Sequence, residues 1–104
     1  MTNVSNALYA LSDGTRRSVF EGLIDGPRSV ADIARDLPVT RPAVSQHLKV
    51  LKQAGLVFAT RQGTRNLYQA NPAGLEDVRQ YFDRFWSRAL AAFKVAAERR
   101  EEEQ

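Results

Sequence analysis

The sequence predicts a mainly α-helical domain that carries one small β-hairpin. Three observations lead there. Apolar residues recur at three- and four-residue spacing through several short segments and one long one. The rhythm breaks after Gly55, where LVFATR and RNLYQA run β-branched and aromatic around Gln62-Gly63-Thr64. Asp, Ser, Thr, Gly and Pro punctuate each change of element.

The elements follow in order. Val4, Ala7, Leu8 and Leu11 share one side of a first helix, interrupted at Asp13-Gly14. Asp13 is a suitable N-cap for a second helix, whose inward face is Val19, Phe20, Leu23 and Ile24 and which Asp25-Gly26-Pro27 stops. Ser29 with Asp32 resembles a capping box and opens a short third helix, with Val30, Ile33, Ala34 and Leu37 inward and Pro38 at its end. Thr40 caps a fourth helix, in which Pro42 is tolerated because a first-turn N–H has no intrahelical acceptor. Val44, Leu48 and Leu51 are its core stripe, and Gly55 is its stop. Only Pro38 and Val39 are expected between the third and fourth helices, so tight a junction that the pair reads as a helix-turn-helix. The hairpin follows, with Arg61 and Arg65 flanking its tip, and Asn71-Pro72 opens a last long helix. The whole is a winged helix-turn-helix of about five helices and a two-stranded wing. One domain over residues 1–98 is expected, with a recognition helix at about 40–54, a wing at about 56–70, a final helix at about 72–98, and a disordered tail at 99–104.

Composition narrows the function classes. With 43% hydrophobic and 26% charged residues the chain has the makeup of a globular domain rather than a disordered one. Zero cysteines exclude disulfides, thiolate metal sites and iron–sulfur clusters. The N-terminal MTNVSNALYALSDGTRR lacks the basic and apolar blocks of a secretory signal, and no apolar run approaches the ~18 residues of a membrane span. A cytoplasmic protein without membrane contact is therefore expected. Charge is unevenly placed. Residues 1–71 hold nine Arg and Lys against five Asp and Glu, while residues 72–104 hold six against seven. No acidic residue falls between Leu37 and Leu75, a window that includes Arg41, Lys49, Lys52, Arg61 and Arg65. Such a cationic field suits a polyanion.

The last helix is too apolar for one small core. At 100° per residue its apolar side chains cover roughly 160°, against the ~100° of an ordinary surface helix. Leu75, Val78, Phe82, Phe85, Trp86, Ala89, Leu90 and Phe93, with Leu8 from the first helix, are the predicted dimer interface. The competing reading is that these aromatics fill the protomer's own core.

ALSDGTRRSVFEGL at 10–23, PAVSQHLKVLKQAGLV at 42–57 and RQGTRNLYQ at 61–69 resemble the ArsR/SmtB family of bacterial and archaeal transcriptional repressors. The resemblance covers nearly the whole chain, from about Ala7 to Phe93, and Ser45 to Val57 is its most specific part. It implies a nucleoid-associated homodimer of a bacterium or archaeon that binds a partly palindromic double-stranded operator beside its own gene or operon, and release by a ligand, often a toxic metal. The family's thiolate site uses a Cys-x-Cys on the third helix; the matching segment here, Ile33 to Leu37, has no cysteine. The zinc-sensing version uses Asp and His pairs on the last helix, whereas the single histidine is His47, in the recognition unit. Asp77, Asp83 and Glu98 are carboxylates spread along the polar face. Zinc and softer metals prefer nitrogen and sulfur. The expectation is a cysteine-free member with no metal site and no cofactor, which leaves room for a small-molecule inducer of unknown identity.

Within the recognition unit each residue type has a chemical part to play. Arg41 and Gln46 are the base-reading candidates, since Arg pairs bidentately with guanine and Gln with adenine. Ser45 and Ala43 suit close approach to bases, Ala43 against a thymine methyl. Thr40, Lys49 and Lys52 suit phosphate, which sets register without reading sequence. Arg61 and Arg65 suit flanking backbone or a narrow minor groove. His47 borders the apolar stripe, where partial burial or a phosphate hydrogen bond is its expected role. Thr40 as a plain cap and Lys52 as a solvated lysine are the duller readings. No catalytic site is expected: Ser45 and His47 have neither an oxyanion hole nor a nucleophile elbow. The alternative function is a winged-helix protein-interaction module without specific DNA binding.

Overall fold

Asp13, Ser29 and Thr40 each stand in extended backbone just ahead of a helix, and each turns a side-chain oxygen onto the N–H three residues on. Arg16 donates to Asp13 Oδ1 at 2.9 Å, Asp32 to Ser29 Oγ at 3.2 Å and Ala43 to Thr40 Oγ1 at 3.2 Å. Each satisfies one of the donors a helix start leaves open. The computed structural model describes residues 3–103. In chain order it contains α1 (Asn3–Ser12), α2 (Gly14–Glu21), α3 (Val30–Asp36), α4 (Arg41–Gln53), β1 (Val57–Gln62), β2 (Arg65–Ala70) and α5 (Pro72–Glu103).

The junction between α1 and α2 is closed by arginines. Arg16 Nε donates to the Ala10 carbonyl at 2.6 Å and Arg17 to the Leu11 carbonyl at 2.8 Å, so both cap the unsatisfied C-terminal end of α1. Two boundaries differ from the sequence expectation. Helix α2 ends at Glu21 with Gly22 as its C-cap. That earlier stop keeps Leu23 buried but throws Ile24 outward, 52% exposed, so Ile24 does not belong to the inward face. Between α3 and α4 the chain spends residues 37–40, two more than expected, because Leu37 is already extended and Thr40 must be extended to cap.

Helix α4 ends with paired bonds, Leu56 N–H to the Leu51 carbonyl and Gly55 N–H to the Lys52 carbonyl, both 3.0 Å. This Schellman arrangement needs a left-handed residue, and Gly55 supplies φ +78°. Strands β1 and β2 pair antiparallel, with Gln62 opposite Arg65 and Gly63 at φ +64° in the two-residue turn. An unexpected third edge joins them: Arg28 N–H donates to the Tyr68 carbonyl at 2.9 Å and Tyr68 N–H returns the bond at 2.8 Å.

The core sits among α1–α4 and the start of β1, where Val19, Leu23, Ile33, Val44, Leu48, Leu51 and Leu56 are fully buried. Leu75 and Val78 of α5 pack against it. The N-terminal turn of α5 rests on the α4–β1 corner, held by Asn71 N–H to the Leu56 carbonyl at 2.8 Å. A Cβ on Gly74 would stand 2.1 Å from the Gly55 carbonyl oxygen, so this contact requires glycine. From there α5 leaves the body. Its 32 residues span about 48 Å at ~1.5 Å each, and the described chain measures 67 × 25 × 25 Å. Residues 82–103 are exposed throughout. The helix continues past the expected end at residue 98, and the segment 99–103 that was expected to be disordered is helical; Gln104, the last tail residue, lies outside the described residues. Arg and Glu are strong helix formers, which accounts for the continuation.

Candidate nucleic-acid interface

Because Val44, Leu48 and Leu51 are drawn into the core, helical geometry turns the opposite side of α4 to solvent. That side carries Arg41, Ser45, Gln46, Lys49 and Lys52, all exposed, and no carboxylate. Thr40, also exposed, is spent at least in part on capping the helix. Ala43 and His47 are half-buried at the edges of the face. The two remaining members of the predicted DNA-facing set, Arg61 and Arg65, are exposed on the wing. Neither extends freely. Arg61 Nε bends back to the Gly63 carbonyl at 3.2 Å, and Arg65 reaches the Asp32 carboxylate of α3 at 3.4 Å.

The Asp32 contact revises the electrostatic picture. The stretch from Leu37 to Leu75 lacks acids, yet the fold imports one from outside it. Asp32 also accepts from Arg35 at 2.6 Å, and hydrogen bonds from Ser29 hold its carboxyl below the ordinary carboxylate range. It is therefore ionised at neutral pH. Arg35, Asn66 and Tyr68 border the same cleft as Ser45 and Arg65, and sequence reading had not singled them out for this face. The absent signal is understandable: the cleft forms only when α3 meets β2. Elsewhere, Arg28 pairs with Asp36 and donates to the Asp32 carbonyl at 2.7 Å, tying the ends of α3 to the sheet edge.

The predicted dimer residues divide into two groups. Leu75 and Val78 are half-buried on the protomer's own core. Leu8, Phe82, Phe85, Trp86, Ala89, Leu90 and Phe93 are exposed, Trp86 to 68% and Phe93 to 70%. The reading in which the aromatics fill the protomer's own core does not hold for these. Tyr81 makes edge contacts with Phe82 and Phe85, at centroid distances of 5.6 and 4.9 Å, and Arg84 lies over its ring. These contacts leave the apolar surface uncovered. Tyr9, Ile24 and Phe58 are further exposed apolar residues absent from the predicted interface.

On the polar face of α5, Arg79 bridges Glu76 at 2.5 Å and Asp83 at 2.9 Å, which lowers the Glu76 pKa and raises that of Arg79. Among the described residues no group of three or more His, Cys, Asp or Glu side chains is placed to hold a metal ion. No helix among them is long and apolar enough to cross a membrane.

Known proteins align with this architecture. A helix-turn-helix domain family matches residues 11–57, the span from the end of α1 to the first residue of β1. The chain is 58% identical over 87 residues to the HTH-type transcriptional regulator Rv2034 of Mycobacterium tuberculosis, covering 84% of this chain and 81% of that protein. It is 35% identical over 74 residues to the transcriptional repressor SdpR of Bacillus subtilis, covering 71% and 82%. Among solved structures, it is similar to the homodimeric winged helix-turn-helix DNA-binding domain of Mb0332 from Mycobacterium bovis, a possible ArsR-family transcriptional regulator. That match has a TM-score of 0.64 at 33% identity and covers 84% of this chain and 78% of that one. The recognition helix, wing and long final helix thus occur together in a chain that belongs to the ArsR/SmtB family of helix-turn-helix transcriptional regulators.

Proposed function

We propose that the protein is a homodimeric repressor that binds a partly palindromic double-stranded operator through α4. One observation carries the reading: the solvent side of α4 presents Arg41, Ser45, Gln46, Lys49 and Lys52 without a carboxylate among them. A helix entering the major groove must offer hydrogen-bond donors to base edges and cations to phosphate, and a carboxylate on that side is repelled. Arg41 and Gln46 read bases, with Ser45 and Ala43 close by. Thr40, Lys49, Lys52 and His47 contact the backbone, as do Arg61 and Arg65 from the wing.

The exposed faces of Leu8 and of α5 from Phe82 to Phe93 bury each other across a twofold axis. The two α4 helices then meet half-sites about one duplex turn, ~34–36 Å, apart. Repression follows from occupancy: a dimer seated on a promoter excludes RNA polymerase. A small molecule that releases the operator fits this scheme, and it is not a thiolate-bound metal, because the chain has no cysteine.

The test is a mobility-shift titration against duplex from the region upstream of the protein's own gene. Expected is tight binding that weakens steeply with salt, each neutralised phosphate adding about −0.9 to the slope of log K against log salt. A flat salt response rejects the reading.

A further inference from the structure

Asp32 lies in a cleft that Ser45 of the recognition helix and Arg65 of the wing also line. It lies in the first turn of α3, its N–H held by Ser29 Oγ at 3.2 Å. Its carboxylate is shared: Oδ1 accepts from Arg35 at 2.6 Å, and Oδ2 accepts from Arg65, 33 residues further along the chain, at 3.4 Å. The cleft there holds about 650 Å³, and its lining includes Ser45 of the recognition helix, Asp32 and Arg35 of α3, and Arg65 and Asn66 of the wing. That volume is ample for a backbone phosphate.

The two guanidiniums are solvent-accessible, their side chains 73% and 61% exposed, whereas that of Asp32 is 32% exposed. An anion entering the cleft therefore meets the arginines first and the carboxylate behind them. A DNA phosphate and the Asp32 carboxylate want the same guanidinium and repel each other. The Asp32–Arg65 bond is long and solvated, the kind of exposed pair that contributes little and can be exchanged. A backbone phosphate carries the same unit charge and accepts the same bidentate fork, and as part of a polyanion it competes for a guanidinium held by one long bond.

We propose that Asp32 is an affinity-limiting positioning residue of the DNA-binding face: it occupies Arg65 in the free protein, and a backbone phosphate takes its place on that arginine in the complex. The inference rests on the reading of the wing as a DNA contact. Asp32 aims Arg65 at the cleft beside Ser45 and at the same time taxes every complex, since the pair must be broken before the phosphate is held. Phosphate contacts carry no sequence information, so the tax falls on operator and unrelated duplex alike.

The experiment measures duplex affinity of the whole 104-residue chain across a salt series for wild type, Asp32→Asn, Arg65→Gln and the double variant. Asparagine leaves the backbone N–H that Ser29 holds untouched, and thermal melting checks that α3 remains folded. Expected for Asp32→Asn is affinity about three- to ten-fold tighter on operator and on unrelated duplex, and a salt slope steeper by up to about one unit. In the Arg65→Gln background the gain should fall to well under half, leaving only what the freed Arg35 and the removed repulsion contribute. Unchanged or weaker binding by a normally melting Asp32→Asn overturns the proposal. So does an equal gain with Arg65 removed, which assigns the effect to general repulsion. If wild type binds no duplex at any salt, the DNA reading falls first and this one with it.

Discussion

The body, residues 3–70, and the distal part of α5, residues 82–103, are both rich in helix and well supplied with apolar side chains, yet they are held in different ways. In the body, Val19, Leu23, Val44, Leu48 and Leu51 are at most 1% exposed, and every helix turns an apolar stripe inward. In the distal half of α5, Phe82, Trp86, Leu90 and Phe93 are 41–70% exposed and touch no core. Such an apolar surface on a helix has no cover within the single chain. The body folds by burying its own residues; distal α5 is ordered locally by helix propensity, and in the proposed dimer a partner completes it.

The sharpest way to break the comparison is the same kind of truncation on either side. Leu51→Ala removes a fully buried side chain and should cost about 2–5 kcal/mol of stability, read as a large drop in melting temperature at any protein concentration. Trp86→Ala should leave the secondary structure intact while weakening the dimer by about 2 kcal/mol, roughly thirty-fold. Sedimentation over a dilution series detects this, and operator binding should weaken with it. An unchanged dimer removes Trp86 from the interface and erases the distinction between the two regions.

The smallest effect concerns the body's helix starts. The N–H bond from Arg16 lowers the pKa of Asp13 below its ordinary 3.8 in the folded chain. A depressed carboxyl contributes stability that is complete above the unfolded value and is lost as pH falls through the folded one. Melting temperature should therefore drop below about pH 4, with Asp32, also depressed, acting in the same sense. Asn is an equally good N-cap and does not titrate there, so Asp13→Asn should flatten part of the acid slope. A slope unaltered in that variant assigns the acid loss elsewhere.

Much of the fold was legible in the chain because its signals are local. Asp13, Ser29 and Thr40 each act on a backbone group three residues away, and Gly55 and Gly63 mark the two sharp corners by needing positive φ. Helical periodicity also placed Arg41, Gln46 and Lys49 opposite the buried stripe. Reading failed where a residue's partner is remote or its element ends early. Arg16 and Arg17 reach back six residues to cap the carbonyl end of α1, a partner outside their own helix. Ile24 fits the helical rhythm, but Gly22 closes α2 first and the side chain faces solvent. The strand-like bridge from Arg28 to Tyr68 has no periodic signature, since it is a single residue pair.

The sequence by itself determined the elements, their order and the chemistry of the recognition helix, because capping, turn geometry and amphipathicity act within four residues of each other. Tertiary structure alone decided that Asp32 stands against Arg65, that Gly74 lies over the Gly55 carbonyl, and that the aromatics of α5 project beyond the core that Leu75 and Val78 reach. Each depends on how helices and hairpin pack across long separations in the chain, where shape and volume select the neighbour and no local pattern records it.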